Sequence, residues 1–131
     1  MSLIRNKKQI KQGIDFSGIK NGAIHPSDID AVLEFNNEAL ILIEVKRKGN
    51  TLPTGQRLLL ERISDSWHTK KVVSLFLTHE NYDPNELIEL HKCKLDKYYW
   101  NGKWLTPQTE KDLVTILNEL GVKWNIKKLK V

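Results

Sequence analysis

The chain has 131 residues, of which 40% are hydrophobic and 28% charged, a size and balance that suit one globular domain and exclude disordered and fibrous classes. Its single cysteine, Cys93, rules out an internal disulfide and a zinc site built mainly on thiolates. Lysine and arginine total 21 against 16 acids, giving net +5, and this excess favours a polyanionic partner such as nucleic acid.

No apolar run approaches the roughly 18 residues that cross a bilayer, so no membrane partner is expected. The N-terminus is basic but lacks the apolar run and small-residue cleavage site of an export signal. An intracellular (cytoplasmic) location is therefore the expectation.

Residues 3–12 place Leu3, Ile4 and Ile10 among Lys and Gln, the pattern of a short basic helix. Gly13, Gly18 and Gly22 then break the periodicity, so residues 13–27 read as turns with room for one short strand. Ile29 to Phe35 and Ala39 to Val45 read as the two strands of a β-hairpin turning at Asn36-Asn37-Glu38. The second strand is apolar on both faces up to Ile43, as a central strand covered on both sides would be.

After a loop at 49–53, Thr54 suits a helix N-cap, and Leu59, Leu60, Ile63 and Trp67 recur at helical spacing to about residue 69. Gln56 shares the stripe of Leu60, Ile63 and Trp67, so a polar amide points at the sheet from the first turn. Val72 to Leu77 reads as a second buried strand, which makes a βαβ unit with parallel strands.

Asp83-Pro84-Asn85-Glu86 has the order of a capping box, predicting a helix to about Lys92. Leu95 to Trp100, the Asn101-Gly102 turn and Lys103 to Leu105 predict a second hairpin. Thr106-Pro107 would start a final helix carrying Leu113, Ile116, Leu117 and Leu120 and ending at Gly121, and the tail from Val122 reads as a short strand or a basic arm. Nothing divides the chain, so residues 1–131 are expected to form one domain, an α/β fold with a mixed central β-sheet flanked by helices.

Three charges stand out in the first hairpin. Glu44 and Lys46 are two apart in a strand and project from one face. Asp30 lies near the start of the preceding strand, which the hairpin brings beside Glu44. Two nearby carboxylates repel unless a cation or a proton lies between them, and Mg²⁺ is typically held by one or two carboxylates with several waters kept. The Val45 carbonyl would be within reach as a further ligand. Such a site suits phosphodiester hydrolysis, with Lys46 orienting the attacking water or stabilising charge and Gln56 holding the water or Lys46.

Asp30, thirteen residues, then Glu44-Val45-Lys46, set across a hairpin and followed by a helix and a buried strand, resembles the PD-(D/E)XK nuclease superfamily over roughly Gly22 to Leu77. That superfamily includes restriction enzymes, Holliday-junction resolvases and small phage nucleases. The resemblance implies a restriction endonuclease-like core, Asp30 and Glu44 as ligands of Mg²⁺ with Mn²⁺ able to substitute, Lys46 as the catalytic lysine, and Gln56 as the glutamine some branches carry on the next helix. Many members also have an acid in the first helix, and residues 1–14 contain none, which leaves one metal site as the expectation.

Arg47, Lys48 and Arg57 flank these residues and are natural phosphate contacts, with a solvated charge run as the alternative. Few residues lie beyond the core to read bases, so structure-selective cutting of junction or branched DNA by a homodimer is expected before sequence-specific cutting. The alternative is a nucleic-acid-binding module that keeps the nuclease fold without turnover. The histidines lack metal-ligand spacing, and Tyr98, Tyr99, Trp100 and Trp104 read as core ahead of a stacking surface.

Overall fold

The computed structural model describes Asp15, Gly18 and residues 26–129. The expected basic helix at 3–12, most of the glycine-rich stretch and His25 lie outside these residues.

Five strands, β1 (Ala31–Phe35), β2 (Ala39–Arg47), β3 (Val72–His79), β4 (Lys94–Trp100) and β5 (Lys103–Leu105), form one sheet in the order β1-β2-β3-β4-β5. The β2/β3 pair is parallel and the other three are antiparallel. Helix α1 (Thr54–Ser66) connects the parallel pair, and α2 (Leu113–Lys123) follows β5. The α/β class and the mixed sheet agree with the sequence expectation.

Alternation along β2 sorts the two layers. Ile41 and Ile43 point, with Val73, Leu75 and Leu77 of β3, into the larger cluster shared with Leu113, Ile116 and Leu117 of α2. Leu40 and Leu42 point to the other side, where they meet Leu60, Ile63 and Trp67. Every residue from Ala39 to Glu44 is buried, as a strand between two neighbours and two helical layers must be. The aromatic residues of the β4/β5 hairpin join these layers, Tyr98 and Trp100 on the α2 side and Trp104 on the α1 side, in agreement with a core role.

Both hairpin turns use asparagine in the left-handed region: Asn36 and Asn37 have φ of 50° and 59°, and Asn101 and Gly102 have 53° and 80°. Asparagine tolerates this conformation and glycine adopts it freely, which is why Asn-Gly is legible as a hairpin turn.

The α1 layer holds a buried hydroxyl pair. Ser64 of α1 and Ser74 of β3 share a hydroxyl hydrogen bond of 2.7 Å, and Ser74 Oγ also lies 3.4 Å from the Leu60 carbonyl. Ser74→Ala would strand the Ser64 hydroxyl, so urea unfolding should show a loss of about 1–3 kcal/mol. The Ser64→Ala/Ser74→Ala double variant should lose less than the two single changes added together.

Several boundaries differ from the sequence reading. The capping-box helix at 83–92 does not form; only a short 3-10 turn at Leu90–Lys92 does. Asp83 Oδ1 accepts from Asn85 N at 2.9 Å and Asn81 Oδ1 from Asp83 N at 3.1 Å, local turns that compete with helix. Leu87 and Ile88 are exposed, so no packing stabilises a short helix there.

The final helix starts at Leu113, not at Pro107. Asp112 is its cap, accepting from Thr115 N at 2.8 Å, and backbone bonds from Leu95 N to Lys111 O and from Leu113 N to Cys93 O tie the preceding loop to the start of β4. That helix ends beyond Gly121, because Asn125 (φ 55°) takes the left-handed position while Ile126 N bonds Gly121 O and Asn125 N bonds Val122 O, the Schellman pattern. As far as Leu129, the last described residue, the tail is therefore neither strand nor loose arm: Trp124 and Leu129 are buried in the larger cluster. At the start of α1, Pro53 occupies the N-cap without a side-chain bond, and Thr54 is the first helical residue; the helix stops at Ser66, with Trp67 as its C-cap.

Candidate active site

The β1/β2 ladder runs from Phe35↔Ala39 to Ala31↔Ile43, so Asp30 lies opposite Glu44 just beyond the last pair. There the Asp30 carboxylate takes the place of the next backbone partner, with Oδ2 accepting from Val45 N at 2.8 Å. The N–H and C=O of one strand residue face the same neighbouring strand, so the Val45 carbonyl is turned toward the Asp30 side as well.

Glu44 follows Leu40 and Leu42 on the α1 face of β2 and is only 2% exposed. Lys46 comes next on that face, its Nζ 3.9 Å from Glu44 Oε1 and its side chain 28% exposed. Burial of the carboxylate, then the charge of Asp30 and a hydrogen bond with it, push Glu44 from the ordinary carboxylate range to about 8. Lys46 opposes that shift without cancelling it, and Asp28 adds a smaller push in the same direction.

Gln56 occupies the first turn of α1. That helix runs back from the loop after β2 and packs its Leu60 and Ile63 on Leu40 and Leu42, so its first turn lies toward the Glu44 and Lys46 end of the strand. The Gln56 Oε1 atom is buried and has no hydrogen-bond partner among the described residues. An unpaired buried amide oxygen is costly, and its natural partners are a water, a cation or a donor.

These atoms fit a hard divalent cation. Two carboxylates converge, one of them deeply buried and with its hold on a proton raised first by that burial and then by its neighbour's charge, with a carbonyl turned to the same side. Among the described residues no group of three or more His, Cys, Asp or Glu side chains converges, and two carboxylates suffice for an ion that keeps several of its waters.

The predicted phosphate contacts are already engaged by neighbouring groups. Arg57 pairs with Glu61 at 2.5 Å, and Glu61 in turn accepts from Trp104 Nε1 at 2.8 Å. Lys48 pairs with Glu80 at 3.2 Å, both side chains largely exposed. The Arg47 guanidinium lies over the Tyr82 ring, 4.9 Å from its centroid; Tyr82 escaped the sequence reading because nothing local links residue 82 to residue 47. His79 pairs with Arg47 in the ladder and so faces away from Glu44 and Lys46, while His68 bonds the Asn37 carbonyl at 2.5 Å.

Among the described residues no helix is long and apolar enough to cross a membrane. In comparisons with protein-family models, with curated proteins and with solved structures, this chain matches none.

Proposed function

We propose that this protein is a Mg²⁺-dependent nuclease hydrolysing phosphodiester bonds in DNA, built on a restriction endonuclease-like core of the PD-(D/E)XK type. The observation that carries the reading is the burial of Glu44 beside Asp30 and Lys46 on the α1 face of a central strand. A solvated surface ion pair would leave these groups exposed, whereas Glu44 is 2% exposed and keeps its proton to about pH 8. Burying the Glu44 carboxyl beside the exposed Asp30 carboxylate costs stability unless a proton or a cation lies between the two, and a bound cation gives that cost a use.

Asp30 and Glu44 would hold Mg²⁺ or Mn²⁺, with the Val45 carbonyl as a further oxygen. When bound, the ion supplies a more acidic water and stabilises charge on the phosphoryl oxygens. Lys46 Nζ donates a hydrogen bond to the attacking water or to a phosphoryl oxygen, and its fixed distance from Glu44 keeps it there. Gln56 Oε1 accepts a hydrogen bond from the water or from Lys46, which satisfies the orphaned atom. Lys48 and Arg57 exchange their present partners for backbone phosphates, and Arg47 meets a phosphate while it stays over the Tyr82 ring. Junction or branched DNA cut by a homodimer remains the preferred substrate and assembly.

Incubation of plasmid, single-stranded and branched DNA with Mg²⁺, Mn²⁺ or EDTA tests the proposal. Cleavage should require the metal and disappear in Asp30→Ala and Lys46→Ala variants that retain their fold by circular dichroism. Cleavage persisting in either variant would sink the site assignment. DNA binding without cleavage in every metal condition would replace the enzyme by a non-catalytic binding module.

A further inference from the structure

Among the described Phe, Tyr and Trp residues, Tyr82 is the only one in the exposed class, at 55% exposure. Tyr99, by contrast, is buried and donates its hydroxyl to Asp65 at 2.8 Å. Tyr82 follows β3, whose last residue His79 pairs with Arg47 at the end of β2, so it sits at the same end of the parallel strands as Glu44 and Lys46, beside Arg47, which alternation turns to the opposite face.

The loop that carries it is ordered by its own polar groups. Asn81 N donates to His79 Nδ1 at 3.2 Å, Asn81 Oδ1 accepts from Asp83 N, and Asn81 Nδ2 reaches the Leu87 carbonyl at 3.5 Å. Tyr82 is thus presented between two residues tied by these bonds, with the Arg47 guanidinium over its ring.

We propose that Tyr82, backed by Arg47, is a stacking site for an unpaired nucleobase of the nucleic acid bound at the Asp30/Glu44 centre. The inference rests on the nucleic-acid reading above and specifies what that site selects. One ring face is taken by the guanidinium, and the 55% exposure of Tyr82 leaves surface for a flat partner. A base stacked there would extend an arginine, tyrosine, base column, the sequence-tolerant mode by which single strands are held. Arg47 also brings a fixed positive charge for the adjoining phosphate. Bases inside a duplex have both faces covered by their neighbours, so this platform engages only single-stranded, flapped or branched DNA. Structure selectivity follows from one side chain, without a base-reading element.

The test separates binding from cleavage by working in EDTA. Fluorescence anisotropy of a labelled single-stranded oligonucleotide should show Tyr82→Ala weakening binding about 5- to 150-fold, the range expected for loss of one stacked base. Tyr82→Phe should bind like the wild type, and affinity for a blunt duplex of the same length should change less than about twofold in both variants, since a duplex offers no free base face. Equal losses on the two DNAs, or none on the single strand, would overturn the stacking site while leaving the nuclease reading intact. Failure of the wild type to bind either DNA would instead remove the reading on which it rests. Sedimentation of the same variants covers the remaining outcome: if Tyr82→Ala changes the oligomeric state, the exposed Tyr82, Leu87 and Ile88 serve self-association, and the proposal fails.

Discussion

Glu44→Gln is expected to stabilise the metal-free protein at pH 9 by about 2–4 kcal/mol and to leave it nearly unchanged at pH 4. The folded protein holds the Glu44 proton to about pH 8, whereas the unfolded chain releases it in the ordinary carboxylate range. Between those values the folded state binds more protons than the unfolded one, so the contribution of Glu44 to stability is full in acid and is lost as pH rises through about 8. Glutamine keeps the shape and carries no proton to lose. The unfolding midpoint of the variant should exceed that of the wild type by roughly 6–12 °C at pH 9, given about 3 °C per kcal/mol at this chain length. Millimolar Mg²⁺ should raise the wild-type midpoint at pH 9 and leave the variant where it was, because a cation that binds only the folded carboxylates stabilises by mass action. The same substitution should abolish DNA cleavage, so one variant gains stability while losing activity. A wild-type midpoint that is flat from pH 5 to 9, or a Mg²⁺ response that survives in Glu44→Gln, would refute the assignment of Glu44.

Much of this arrangement is legible in the sequence alone. Strand alternation places Glu44 and Lys46 on one face, the turn at Asn36-Asn37 brings Asp30 to Glu44, and helical spacing aims Gln56 at the sheet. Each of these inferences uses residues close in sequence or a single hairpin, where geometry is nearly fixed by local rules. Partners that depend on packing at long range are not legible. Glu61, four residues after Arg57 and so a local helix partner for it, also accepts from Trp104 Nε1, a contact spanning 43 residues. The helices misread at 83–92 and 107–112 fail for the same reason: a capping signal is local, but whether a helix persists depends on an apolar face finding a core. Leu87 and Ile88 find none, and residues 111–113 are captured by the start of β4. Asp112, a better cap than Thr106, carries its Thr115 partner three residues on, a signal visible in the sequence.

Leu60→Ala is expected to cost about 2–5 kcal/mol, because Leu60 is 1% exposed and fills the small cluster beneath α1. Leu113→Ala, at 4% exposure in the larger cluster across the sheet, should cost a similar amount. The two variants differ in what their cavities loosen. Leu60 stands one turn after Gln56 on the same helical stripe and presses against Leu40 and Leu42, the two residues that precede Glu44 on that face. A void there lets the first turn of α1 shift relative to Glu44 and Lys46, whereas a void under α2 leaves the α1 face packed. Displacements of about 1 Å at a reacting centre lower rates about a hundredfold. Measured well below both unfolding transitions, kcat/KM for DNA cleavage should therefore fall roughly ten- to a hundredfold in Leu60→Ala and by less than about threefold in Leu113→Ala. Equal losses in the two variants would mean that activity follows global stability alone, and that the packing of α1 does not set the geometry of the carboxylate and lysine cluster.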